Sequence, residues 1–146
     1  MPTAPLSNDT WPGKPLGLPR SGPRSIARGG RRILALILDW GIASALSYFF
    51  FPPEPVEGVP LWTGINSFAT LGIFAVLQVL FIATLGGSIG HLILSMRVVP
   101  IDPGWIGVVK PIARTALLCL AIPALIWDKD QRGMHDRLVG TVLVRR

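Results

Sequence analysis

Two long apolar blocks constrain this chain more than any other feature. Ile33–Phe51 runs for 19 residues with a single charge, Asp39, and Leu61–Leu85 runs for 25 residues with none. As a helix the first block spans roughly 28 Å, close to the hydrocarbon thickness of a bilayer, about 30 Å. Each block can therefore cross a membrane once. A signal peptide is the competing reading of the first, with Ala43-Ser44-Ala45 as a small-residue cleavage site. That reading fails because the leader is too long and Asp39 breaks the apolar run after six residues.

The charges are distributed to match. The chain carries a net charge of +6 and a pI of about 10.8, yet half its residues are apolar and its mean hydropathy is +0.52. Only 15% of residues are charged, against about 25% in a soluble domain. An ordinary soluble fold and a disordered chain are both excluded. Arg24, Arg28, Arg31 and Arg32 precede the first block, while the connection Pro52–Pro60 holds Glu54 and Glu57 and no cation. The positive-inside rule then places the N-terminus and Gly86–Lys110 in the cytoplasm and the connection outside. Tyr48 to Phe51 and Trp62 fall at one level and form an aromatic belt. All 14 cations lie in the tail, beside the apolar blocks or within Gly86–Arg146. The basic pI thus reads as a topological address and a collar for anionic lipid headgroups, not as a nucleic-acid surface.

Six prolines fall in the first 24 residues. Residues 1–27 are expected to form a disordered cytoplasmic tail that buries no core, with residues 28–146 as the transmembrane domain. The single cysteine, Cys119, excludes a disulfide framework and a cysteine-based zinc site. A third block, Pro111–Trp127, would span about 26 Å as a helix. It contains Arg114 and Pro123, and one crossing would put Lys129, Arg132, Arg137, Arg145 and Arg146 outside. A re-entrant or in-plane path returns the C-terminus to the cytoplasm. Met96–Val99 and Thr141–Val144 are strand-like, and if they pair they share one side of the membrane. The expected fold is an all-α membrane protein with helices about 31–51, 61–85 and 111–127. It is a transmembrane hairpin plus a third helix, spanning or re-entrant, with a small two-stranded cap on the cytoplasmic side.

Few residues could carry chemistry. Asp39 lies two helical turns after Arg32, about 10 Å along the axis and on the same face. A carboxylate at that depth costs a few kcal/mol or more unless paired or neutralised. It reads as a cation or proton site, as a buried ion pair with an arginine such as Arg114, or as a partly wet carboxylate. Gly86 and Gly90 have the spacing of a close helix contact, or they mark a tight turn after the second block. The stretch is no phosphate-binding loop. His91 either titrates near neutral pH or is an interfacial polar residue. Asp128–Arg137 lacks the spacing of a zinc or calcium site and reads as a solvated run in which Asp136 pairs with Arg132 or Arg137. With no nucleophile elbow, no enzyme, metal or cofactor is expected.

Three motifs in order carry a resemblance. Arg31-Arg32 leads through an apolar run to Asp39. Gly87-Ser88-Ile89-Gly90-His91 leads to Met96-Arg97-Val98-Val99. Arg132-Gly133-Met134-His135-Asp136 leads to Gly140-Thr141. Together they resemble the RDD family of bacterial membrane proteins over about 30–146. The resemblance implies that Arg32 (or Arg31), Asp39 and Asp136 are the set that names the family, with Gly87, Gly90, His91, Arg97, Arg114, Arg132, His135, Gly140 and Thr141 in support. Where the family has Gly-Thr-x-Gly-Lys, His91 replaces a fixed cation with a titratable group. The resemblance implies a multi-pass protein of the bacterial cytoplasmic membrane with a structural, assembly or regulatory part. Some members are associated with sodium/proton exchange, which implies the alternative of an oligomeric ion or proton transporter with Asp39 titrating. The implied partners are the bilayer with its anionic headgroups and a homo-oligomer or larger membrane complex, without nucleic acid and without a cofactor.

Overall fold

A computed structural model describes residues 10–120 and 132–146, the Trp62 side chain excepted. Its frame is a pair of packed helices, α1 (Gly29–Phe50) and α2 (Ser67–Leu85). Pro52 and Pro53 follow α1, and proline cannot continue a helix. The second apolar block was expected to be helical from 61, but α2 begins at Ser67. Leu61–Gly64 forms a 3-10 turn, and the Asn66 side chain caps α2 by accepting the Ala69 N–H at 3.0 Å. α2 ends at Gly86, whose φ of +74° closes the helix in the left-handed conformation that glycine adopts without strain.

The two helices bury an unusual stripe. α1 hides Ala35, Asp39, Ala43 and Ser47, and α2 hides Thr70, Phe74, Gln78 and Ile82, every fourth residue in each case. The outer faces carry the large apolar side chains, with Phe49 77% and Phe68 88% exposed. A helix of a soluble protein buries its apolar face; here six of these eight buried positions, all but Phe74 and Ile82, are polar or small. Between helices in lipid, small residues permit close approach and polar side chains supply the hydrogen bonds. Ser47 donates to the Asn66 carbonyl at 3.4 Å near one end of this contact, and Trp40 packs on Phe74 with ring centroids 5.5 Å apart.

The remaining elements form a cap. These are α3 (Ile89–Ile93), β1 (Met96–Pro100), α4 (Val109–Cys119), α5 (Met134–Val139) and β2 (Thr141–Arg145). β1 pairs antiparallel with β2, from Met96 opposite Arg145 to Pro100 opposite Thr141. The two strand-like runs therefore do meet. A two-stranded pair is marginal alone, and this one has support on both sides. Met96, Val98 and Leu143 join Ala27, Ala35, Ile82 and Ile106 in one core. Along the other side of β2, Arg24 N–H donates to the Arg145 carbonyl and Ala27 N–H to that of Leu143, each at 2.9 Å. Ile26 and Ala27, just before the expected start of the transmembrane domain at 28, are 6% and 0% exposed and belong to the buried core. Leu16 and Leu18 pack on Ile26, Val142 and Val144.

α4 covers only part of the third apolar block. Its 11 residues rise about 16 Å, too little to cross a bilayer. It packs on α2 and α5 and turns Pro111, Arg114 and Thr115 inward. A third spanning helix is not among the described elements, and 121–127 lies outside the described residues.

Candidate functional site: two buried carboxylates

Asp39, 7% exposed, stands in the middle of α1. Its Oδ2 accepts from Gln78 Nε2 at 2.9 Å and from Ser88 Oγ at 2.5 Å, and its Oδ1 accepts from the Gly90 N–H at 2.7 Å. These donors come from α2, from the residue that caps α3, and from α3 itself. The expected ion pair with Arg114 is absent because Arg114 is spent elsewhere. Gly90 reaches the carboxylate because it has no side chain: a Cβ there would overlap the Ala35 carbonyl on α1. Gly86, by contrast, ends α2. The two glycines thus do not form one helix face; one is a turn and the other is a close approach.

Ser88 does two jobs. Its Oγ accepts the His91 N–H at 3.3 Å, while His91 Nδ1 accepts the Ser88 N–H at 3.1 Å. This is a capping box with an imidazole in the usual Glu or Gln position. A nitrogen that accepts a backbone N–H holds no proton of its own. Burial, and then the Arg114 charge, push His91 down to about 3. His91 is therefore a buried neutral ring and does not titrate near neutral pH.

The second carboxylate, Asp136, is wholly buried in the first turn of α5. Its Oδ1 accepts from Arg114 Nε at 2.5 Å and from Thr141 Oγ1 at 3.2 Å. Its Oδ2 accepts from Arg32 Nη1 at 3.1 Å, with His135 Nε2 at 3.7 Å. Arg32 also donates through Nε to the Ala27 carbonyl at 2.9 Å and through Nη2 to that of Leu143 at 3.5 Å. One guanidinium so ties the tail segment, α1, α5 and β2. Burial alone would raise the Asp136 carboxyl; Arg114, His135 and Arg32 outweigh it and hold it well below the usual range. The expected pairing of Asp136 with Arg132 or Arg137 gives way to these distant arginines, because α5 turns Asp136 inward toward α4 and α1.

Beside Asp39 and the two arginines that bond Asp136 lies a cavity of about 120 Å³, lined among others by Arg32, Asp39, Gln78, His91, Arg114 and His135. Arg114 Nη1 and Gln78 Oε1 are buried there without a hydrogen-bond partner among the described residues. The remaining expected residues serve the frame. Arg31 Nη1 donates to the Leu94 carbonyl at 3.2 Å. Gly87 follows the end of α2, Arg97 is exposed on β1 above Gly86, and Gly140 ends α5 with φ +70°. Arg132 is buried at 8% exposure. Gln78 and Ser88 were not among the site residues expected from the sequence. Gln78 carries no formal charge, and its one signal in the sequence is its place at i+4 spacing in Thr70, Phe74, Gln78, Ile82. Among the described residues no three His, Cys, Asp or Glu side chains gather as a metal site. Asp128 and Asp130 lie outside the described residues.

An apolar hairpin long enough to cross a bilayer, polar within and oily without, with a basic cap fastened at buried carboxylates, defines a membrane protein. The sequence model of the RDD family matches residues 26–140, and the chain belongs to the RDD family. Of the two adjacent arginines it is Arg32 that bonds Asp136, while Arg31 bonds the Leu94 carbonyl. No curated protein and no solved structure matches the chain.

Proposed function

We propose that this protein is a structural, assembly or regulatory component of the bacterial cytoplasmic membrane, and that its Arg–Asp–Asp set fastens a one-sided cap to a two-helix membrane anchor. The observation that carries the reading is where the carboxylates spend their acceptors. Asp39 accepts from α2, α3 and the α3 cap, and Asp136 from α1, α4 and the residue opening β2. β1 and β2, which flank α4, share one sheet, and this supports an even number of crossings between them. The Arg-rich start of α1 supports the cytoplasm as the side of the cap. The test is Asp39→Asn, which swaps an acceptor for a donor facing three donors. Membrane-extracted protein should fall several-fold in monodisperse yield by size-exclusion chromatography, and an unchanged yield would refute the fastening role.

A second reading, an oligomeric ion or proton transporter, is favoured by one observation. Among the described residues Asp39 has no cationic partner at hydrogen-bond distance, and it borders the cavity. Proteoliposomes loaded with a pH dye decide it: sodium- or potassium-dependent proton flux above empty liposomes supports transport, and its absence removes it.

A further inference from the structure

A second, outward-facing pocket lies where the tail meets the start of α1. It encloses about 320 Å³ and is lined by Arg20, Ser21, Ser25, Arg28, Arg31 and Arg145, with Ile26. We propose that this pocket binds the phosphate headgroup of one anionic phospholipid.

The guanidinium-bearing residues Arg28, Arg31 and Arg145 converge here from two separate stretches, and among the described residues no Asp or Glu lines the pocket. The convergence is built by the fold. Arg145 N–H donates to the Ser25 carbonyl and Arg24 N–H to the Arg145 carbonyl, each at 2.9 Å, which lays the tail along β2. Arg31 is held by its bond to the Leu94 carbonyl at 3.2 Å. Gathering like charges costs energy unless an anion joins them, and the planar guanidinium fork matches phosphate oxygens. The sources of such an anion are a lipid or free phosphate, and the surroundings favour the lipid. Directly past Arg31, Ile33, Leu34 and Ile37 are 49%, 47% and 61% exposed on α1. Leu34 lies about 5 Å along the axis from Arg31. A lipid whose chains lie on that face brings its phosphate to the pocket.

The inference rests on the membrane placement of α1 and not on the role of the two carboxylates. The test uses the full chain extracted from the membrane fraction. It is titrated in detergent with phosphatidylglycerol, phosphatidylcholine or sodium phosphate, and bound species are read by native mass spectrometry. One phosphatidylglycerol should bind in clear preference to phosphatidylcholine. Arg28→Gln with Arg145→Gln should weaken it about thirtyfold, at the attraction typical of each surface arginine. Arg28→Lys with Arg145→Lys and Lys110→Gln should retain it. Equal binding of both lipids, or phosphatidylglycerol binding unchanged in the double Gln variant, overturns the site. Displacement by equimolar sodium phosphate overturns the lipid as its ligand. A chain missing from the membrane fraction would instead overturn the membrane placement itself.

Discussion

Asp136 shows how far a single residue's partners can lie from it in sequence. Arg32 is 104 positions away, yet it shares this carboxylate with Arg114 inside a fully buried site. Taking the charge off one member leaves two guanidinium groups buried and unbalanced. Asp136→Asn should cost about 3–5 kcal/mol, measured by chemical unfolding in detergent, and a loss below 1 kcal/mol would be inconsistent with the geometry. His91 makes an independent prediction. The folded chain keeps it neutral down to about pH 3, while the unfolded chain charges it near 6.5. Its contribution is full above pH 6.5 and is lost as pH falls toward 3. The unfolding temperature should therefore decline across that window, with a shallower slope in His91→Gln. Asp136 adds an acid-side loss only below the ordinary carboxyl value of 3.8. Asp39 was legible in the sequence as a charge inside an apolar run, whereas Asp136, set in a polar run, stood out only through the family resemblance, which also grouped it with Arg32 or Arg31. Their partners were not. Proximity in sequence favours Arg132 and Arg137 for Asp136, and only the packing of α5 against α4, with Arg32 reaching across from α1, replaces them.

At the scale of elements, legibility followed length. The hairpin could be read because 19 and 25 apolar residues admit few other structures. The strand pair could be read because its two runs are β-branched and share a side. The five-residue α3 could not be read, since its position depends on the Asp39 carboxylate and on a glycine. Of the third block only 111–120 lies among the described residues, and there α4 spends Arg114 inward on Asp136, as an amphipathic helix of the cap. α3 touches α1 through Gly90, so Gly90→Ala tests the contact between hairpin and cap. The added methyl overlaps the Ala35 carbonyl, and a forced methyl in a packed site costs about 1–3 kcal/mol. The unfolding temperature in detergent should drop, with the Asp39–Gly90 hydrogen bond broken. A variant as stable as the native chain would mean that α1 and α3 do not approach this closely.

Across the whole molecule, one idea joins the opening apolar blocks to the cap. A hairpin offers lipid its oily faces and keeps its polar stripe for itself, and two carboxylates carry that polarity into a cap built from both ends of the described chain. The tail segment Arg24–Ala27, β1 and β2 lie side by side, so the account requires both termini on the same face of the membrane. Arg32 and Asp136 could not otherwise touch. The most direct test is a reporter pair in the living cell, with a cytoplasm-dependent fluorescent protein and a periplasm-dependent phosphatase fused in turn before Met1 and after Arg146. Fluorescence without phosphatase activity at both ends is the predicted result. Phosphatase activity at the C-terminus with fluorescence at the N-terminus would separate Asp136 from Arg32 by the bilayer and contradict the account.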